Sequence, residues 1–324
     1  MASKILLKKP IDPGSIPGPR ILNNKMTEEK NFKKKLGDFH DKYYKLLLLI
    51  PIAILVFSFI YMFIFYANNG DFINKDFSLT GGTSITILGK INEAQLKEAL
   101  SEKLDEVDTR EIYDLVTREQ TALIVQTKTG IDEAKEILED YLGYKLNNDN
   151  SSFEFIGSDL SKNFYKQLLI AILFAFVFMA LVVFIIFRTF IPSLAVIVSA
   201  FADIFMTLTL VNILGIKMSS AGIVAFLMLI GYSVDTDILL TSRILKRYEG
   251  SLNQRIFGAF KTGITMTLTS LLAIVFALIV VSSFSVILTQ IFTILVIGLG
   301  FDILNTWITN VSILKWYVKS KGRE

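Results

Sequence analysis

The chain has 324 residues, of which 52% are hydrophobic and only 19% charged, with a mean hydropathy of +0.53. Ordinary soluble domains carry about 45–50% apolar and about 25% charged residues, so a soluble globular domain is excluded. No cysteine and one histidine, His40, exclude disulfides, thiolate metal sites and His-based metal clusters. No P-loop motif occurs, so nucleotide hydrolysis is not expected, and no cofactor or nucleic-acid partner is implied. The net charge of +3 becomes informative only when divided by segment.

Residues 1–45 hold four of the six prolines and eleven Lys or Arg against five acidic residues. This reads as a flexible basic tail with a short surface helix over 33–44. A signal peptide is not expected, because the first apolar run begins only at residue 46 and no small-residue cleavage site follows Tyr66. Residues 46–66 then form a charge-free run of 21 residues, enough for one membrane span.

Residues 67–166 are different in kind, with eleven basic and nineteen acidic residues, a net charge of −8. Alternation predicts strands over 83–88, 110–116, 122–127 and 152–156, and 3.6-residue spacing predicts helices over 92–104 and 131–142. Asn92 and Asp132 suit an N-cap or first turn. The order βαββαβ predicts an α+β ferredoxin-like domain. Five further spans follow at 167–187, 191–211, 218–241, 262–282 and 285–312, so the fold class is a polytopic α-helical membrane protein with six transmembrane helices.

Basic residues set the orientation. The tail, the connections with Arg188 and with Arg243, Lys246, Arg247, Arg255 and Lys261, and the residues 313–324 are basic, whereas the opposite short loops offer Lys217 alone. Both termini are therefore expected in the cytoplasm and 67–166 outside it, in a multi-pass protein of the cell membrane. Trp307, Trp316 and Tyr317 suit the cytoplasmic interfacial belt.

Asp203, Asp235, Asp237 and Asp302 lie where lipid or apolar neighbours are expected. A charge at the bilayer centre costs about 2.5–3.5 kcal/mol on insertion scales, which makes each of them a functional candidate. At 1.5 Å rise per residue, Asp203, Asp235 and Asp302 fall in one slab roughly 10 Å thick. On the last span Asp302, Asn305, Thr306, Thr309 and Asn310 recur at helical spacing as one polar stripe, and Thr262, Thr265 and Thr269 form a weaker one beyond Lys261. Asp235 and Asp237 are about 200° apart around a helix, so both face one groove only if that helix is deformed, which Gly231 and Ser233 would permit. The structural alternative is a set of hydrogen-bonded packing carboxyls, or Asp237 paired with Arg243 or Lys246. As a functional set, these carboxyls suit a proton relay, and the same oxygens suit sodium; the sequence leaves the ion open.

The stretch from Gly231, Tyr232 and Ser233 through Asp235, Thr236 and Asp237 to Arg243 resembles the fourth-span signature of the SecD/SecF family of protein-export membrane proteins, in the archaeal form of its SecF branch. Gly81 and Gly82 after Phe77, Asp203 after Ala202, and Lys261 with Thr262 are similar to further motifs of that family, and the similarity covers 46–318. The resemblance implies an RND-type half-bundle that pairs with a SecD-like six-span subunit and assists unfolded preproteins through a SecY-type translocon. In bacteria this step uses the proton-motive force. Bacterial SecF carries its aspartate at the position of Thr236, whereas SecD carries one at the position of Asp235, so Asp235 is preferred over Asp237 as the leading relay residue, with Asp203, Asp302 and Lys261 in support. Lys261 keeps the charge of the family's arginine without its planar fork. A non-motor scaffold and a small-molecule exporter half are the competing readings; no nucleophile–base pair points to an enzyme.

Overall fold

The computed structural model describes residues 43–114, 117–246, 250–283 and 285–322. The chain divides into two units, Met1–Leu46 and Leu47–Glu324, and the architecture below is that of the second. The expected surface helix over 33–44 lies almost wholly outside the described residues.

Among the described residues, six helices are long and apolar enough to cross a membrane. The first, α1 (Leu49–Asn69), ends where Gly70 takes a left-handed conformation, and its N–H bonds to the Tyr66 carbonyl. One helical turn, α2 (Phe77–Thr80), leads into a four-stranded sheet. Asp76 caps that turn, accepting the Ser78 N–H at 2.9 Å. The sheet domain runs β1 (Gly82–Leu88), α3 (Glu93–Ser101), β2 (Asp108–Tyr113), β3 (Gln120–Thr127), α4 (Ile131–Leu142) and β4 (Ser151–Ile156). The six elements expected between 83 and 156 are all present in that order, with ends shifted by a few residues.

The strand order is β2-β3-β1-β4 with every neighbouring pair antiparallel, so each βαβ pass is split by one strand. Register pairs Ile85 with Val125 and Phe153, and Ile87 with Leu123. These residues share the face that α3 and α4 cover, and Leu96, Leu100, Ala134 and Leu138 complete one core with them. Asn92 caps α3 through the Gln95 N–H, as its position before the apolar spacing predicts.

Gly81 and Gly82 sit where the chain enters the sheet, with φ of +86° and +145°. A Cβ on Gly82 would lie 2.4 Å from the Thr127 carbonyl oxygen, and one on Gly81 would lie 2.5 Å from Ser158 Cα. The pair therefore lets β1 start flush against β3 and against the first turn of the next helix.

The remaining spans are α5 (Ser158–Phe187), α6 (Phe190–Ile213), α7 (Ser220–Lys246), α8 (Leu252–Val281) and α9 (Val286–Leu304), the last continuing through a π-helical segment, Asn305–Asn310, into α10 (Val311–Ser320). Two expected spans, 167–187 and 262–282, prove too short at their starts. α5 begins at Ser158 and α8 at Leu252, where Ser251 and Gln254 form a reciprocal capping box. Hydropathy sees only the apolar part of such helices. α6 and α7 are the most buried of the six, whereas α1, α5 and α8 turn most of their apolar side chains outward, as lipid contact requires.

Candidate functional site

The expected polar stripe of the last span lies in the bundle interior. Asp203 on α6, Asp237 on α7 and Asp302 on α9 are each 0% exposed, and Asn305, Thr306, Thr309 and Asn310 are buried with them. Asp302 lies in the last turn of α9, and the π-helical segment begins at Asn305. Wider i→i+5 turns are rare and recur at functional sites. Here the segment directs Asn305, Thr306 and Asn310 toward two facing helices.

Asp203 and Asp237 have donors of their own, and Asp302 shares one with Asp237. Asp203 takes Ser233 Oγ on Oδ2 at 2.6 Å and Asn305 Nδ2 on Oδ1 at 2.7 Å. Asp237 Oδ1 takes Asn310 Nδ2 at 2.8 Å and Ser199 Oγ at 3.3 Å. Thr306 Oγ1 stands between two carboxyls, 2.8 Å from Asp237 Oδ1 and 3.0 Å from Asp302 Oδ1. Thr309 Oγ1 donates to Asn305 Oδ1 at 3.1 Å, which fixes the asparagine amide toward Asp203. Asp237 Oδ2, Asp302 Oδ2 and Asn310 Oδ1 are buried with no hydrogen-bond partner among the described residues. Buried oxygens left open in this way are where a proton or a small cation would be received.

Asp235, the expected leading relay residue, is not brought into this buried core, and Asp237 is. α7 runs unbroken from Ser220 to Lys246, so two residues of advance turn the side chain to the far side, and Asp235 is exposed while Asp237 faces inward. Gly231 introduces no distortion, and a Cβ there would meet nothing within 4 Å; Tyr232 beside it is 39% exposed. Ser233 is the member of that triplet that reaches the site. Arg243 does not pair with Asp237 but donates to the Gly258 carbonyl, joining the end of α7 to α8. Lys246 lies over the Phe187 ring, 5.9 Å from its centroid.

Lys261, Thr265 and Thr269 are likewise not gathered into the carboxyl core. All three are exposed on α8, and both threonine hydroxyls donate to their own helix, at 2.7 Å to the Lys261 carbonyl and 2.6 Å to the Thr265 carbonyl. Trp307, expected at the interfacial belt, is packed edge-on against Phe260 with centroids 5.0 Å apart, in space left by Gly263. Tyr317 is buried too, and Trp316 alone of the three is exposed. Ser199 was not anticipated; its signal is the spacing of four residues before Asp203 on one face of α6.

A second polar cluster ties the bundle to the sheet domain. Gln290, in the first turns of α9, accepts from both the N–H and the hydroxyl of Ser219 and donates to the Lys217 carbonyl. Met218 N–H donates to the Asn74 carbonyl at 2.5 Å, and Asp76 N–H to the Met218 carbonyl at 3.0 Å. Asn212, at the end of α6, donates to the Phe72 carbonyl at 2.8 Å. The α6–α7 connection is thus laced to the strap that carries the chain from α1 into β1.

Two carboxyls on that strap differ. Burial pushes Asp71 up, but hydrogen bonds from Lys75, Tyr165 and the Ile73 N–H, with the Lys75 charge, outweigh it and leave the carboxyl below its ordinary range. Asp76 is held above its ordinary range by burial, only partly offset by Ser78 and by the charges of Arg110 and Lys217.

A family model described as Protein export membrane protein SecD/SecF, C-terminal, matches residues 137–320. Protein-export membrane protein SecF of Methanocaldococcus jannaschii is 41% identical over 282 residues, covering 86% of this chain and 96% of that protein. Its counterpart from Methanothermobacter thermautotrophicus is 40% identical over 287 residues, covering 87% and 95%. Among solved structures, the translocon-associated SecDF of Thermus thermophilus matches 89% of this chain with a TM-score of 0.61 at 18% identity. SecDF in a super-membrane-facing form matches 86% with a TM-score of 0.54 at 19% identity. At such identities the likeness is one of fold, and the chain spans 38% and 39% of the length of those two SecDF chains.

Proposed function

The chain belongs to the SecD/SecF family of protein-export membrane proteins, and we propose that it is a SecF-type half-transporter that couples the protonation of intramembrane aspartates to movement of its sheet domain during preprotein translocation. In this reading residues 67–166 form a ferredoxin-like domain outside the cytoplasm, both termini lie inside, and a SecD-type six-span subunit completes a twelve-span unit that works beside a SecY-type channel. The split βαβ order supports the domain assignment, and the excess of basic residues on one side supports the orientation. The length of the SecDF chains supports a missing half.

The observation that carries the coupling reading is the convergence of Asp203, Asp237 and Asp302 from three helices into one buried core with two carboxyl oxygens left open. Hydrophobic packing alone would select against it. Asp235 on α7 and Lys261, Thr265 and Thr269 on α8 are exposed polar groups that lipid would not solvate, which supports a partner subunit over these two helices.

The test is proton-dependent export by complexes carrying Asp237→Asn or Asp235→Asn. Asp237→Asn is expected to remove the dependence on the proton gradient with assembly retained, and Asp235→Asn to weaken association with the second subunit. Export by Asp237→Asn complexes that matches wild type, with the same response to an uncoupler, would replace the motor reading with a scaffold that stabilises the translocon.

A further inference from the structure

Thr306 has one proton and two carboxyl neighbours. Its Oγ1 lies 2.8 Å from Asp237 Oδ1 and 3.0 Å from Asp302 Oδ1, and a hydroxyl carries a single hydrogen beside its two lone pairs. With both carboxyls ionised, Thr306 donates to one of them, and the other contact sets an anionic oxygen against a lone pair at hydrogen-bond distance. Both distances are accounted for when one carboxyl carries a proton on the oxygen that faces Thr306.

The remaining donors decide which carboxyl that is. Asp237 Oδ1 also receives Asn310 Nδ2 and Ser199 Oγ, surroundings that suit an anion. Among the described residues no side-chain amide bonds to Asp302, and the Ser233 hydroxyl beside it donates to Asp203 at 2.6 Å. Asp203, the third carboxyl of the core, is further occupied by Asn305. Asp302 is therefore the member that carries the proton in this conformation.

We propose that Thr306 is the bridge of a proton wire within this chain, passing a proton from Asp302 to Asp237. The Asp302 Oδ1–H bond breaks as its proton joins Thr306 Oγ1, and the original Thr306 O–H bond breaks as that proton joins Asp237 Oδ1. Thr306 ends as a neutral hydroxyl, Asp302 as the carboxylate and Asp237 as the acid, with one negative charge on the pair throughout. Transfer takes an anionic acceptor away from Asn310 and Ser199. The π-helical segment, which carries both Thr306 and Asn310, is where the change is felt first.

This inference rests on the coupling reading above, and the experiment separates the two. Full-length protein in its membrane complex is compared as wild type, Thr306→Val, Thr306→Ser and Asp302→Asn, by infrared spectroscopy of protonated carboxyls and by proton-driven export in vesicles. Wild type is expected to show a protonated-carboxyl band that Asp302→Asn abolishes and Thr306→Val shifts. Thr306→Val is expected to lower proton-driven export roughly tenfold or more, somewhat below the 10²–10⁴ typical of a positioned proton-transfer group because water can stand in for a lost hydroxyl. Thr306→Ser is expected to restore both the band and the export. Unshifted spectra and full export in Thr306→Val, alongside a defective Asp237→Asn, would overturn the wire and leave the coupling reading standing. A carboxyl band that survives Asp302→Asn would overturn the assignment of the proton even if Thr306→Val fails to assemble.

Discussion

The Lys217 ammonium lies 3.2 Å from Asp108 Oδ2, so an ion pair joins the α6–α7 connection to the outer strand of the sheet. The side chains are 40% and 27% exposed, and pairs of this kind contribute about 0–1 kcal/mol. It is a latch that thermal motion can open. Lys217→Ala is expected to leave global stability almost unchanged while speeding hydrogen exchange of the β2 amides. Raising salt to about 1 M, where the screening length falls to about 3 Å, is expected to bring wild type toward the variant. Identical exchange in the two proteins at low salt would remove the latch from the account.

The glycine pair at the start of β1 gives a graded prediction. Gly82→Ala adds an atom 2.4 Å from a backbone oxygen at a φ of +145° and is expected to cost roughly 1–3 kcal/mol or more. Gly143→Ala has a φ of +75° and no atom within 4 Å of the new methyl, so strain alone applies, at about 1–2 kcal/mol. Thermal unfolding of the two variants should rank them in that order. The reverse ranking would mean that β3 yields at Thr127.

Gln290 holds the 217–219 segment by three hydrogen bonds, and the amide of Ser219 has little else to bond to. Gln290→Leu keeps most of the volume and removes the acceptor, at about 1–3 kcal/mol for a buried donor left unpaired. The loss should be local, seen as faster proteolysis or exchange at 214–220 with the sheet core unaffected. Unchanged exchange there would show that Met218, through Asn74 and Asp76, holds the segment unaided.

Asp71 makes the strap sensitive to acid. Its carboxyl titrates lower when folded than when unfolded, so its contribution is complete above the unfolded value of about 3.9 and disappears as the pH falls through the lower folded one. Asp76 has the opposite sign, since a raised carboxyl penalises the folded state when ionised and that penalty fades on acidification. Asp71→Asn is therefore expected to flatten the loss of stability below about pH 4, and Asp76→Asn to leave that limb in place. Equal flattening by both would contradict the assignment.

Much of the carboxyl core was legible in the sequence because charges interrupt otherwise apolar runs, and the helical period of Asp302, Asn305, Thr306 and Asn310 already grouped them on one face. The choice between Asp235 and Asp237 was not legible. Periodicity says the two point apart, but which one points inward depends on how α7 is turned against α6 and α9. Gln290 and Asn212 were not legible for another reason: a single amide near the end of a span looks like any residue at a membrane surface. Their partners lie more than seventy positions away and include backbone groups, which no local pattern records. The sheet was readable because alternation and helical spacing are local properties, and its register followed from burying Ile85, Ile87, Leu123 and Val125 together.

Gln290 and Asp302 belong to one continuous helix, twelve residues and about 18 Å apart. If protonation at the inner end biases that helix, thermodynamic reciprocity requires a load at the outer end to change the affinity of the carboxyls for protons by the same factor. A polypeptide drawing on the sheet domain would then alter proton uptake on the far side of the bundle. A rod that delivered force to the sheet domain would also report the load on that domain back to the carboxyls.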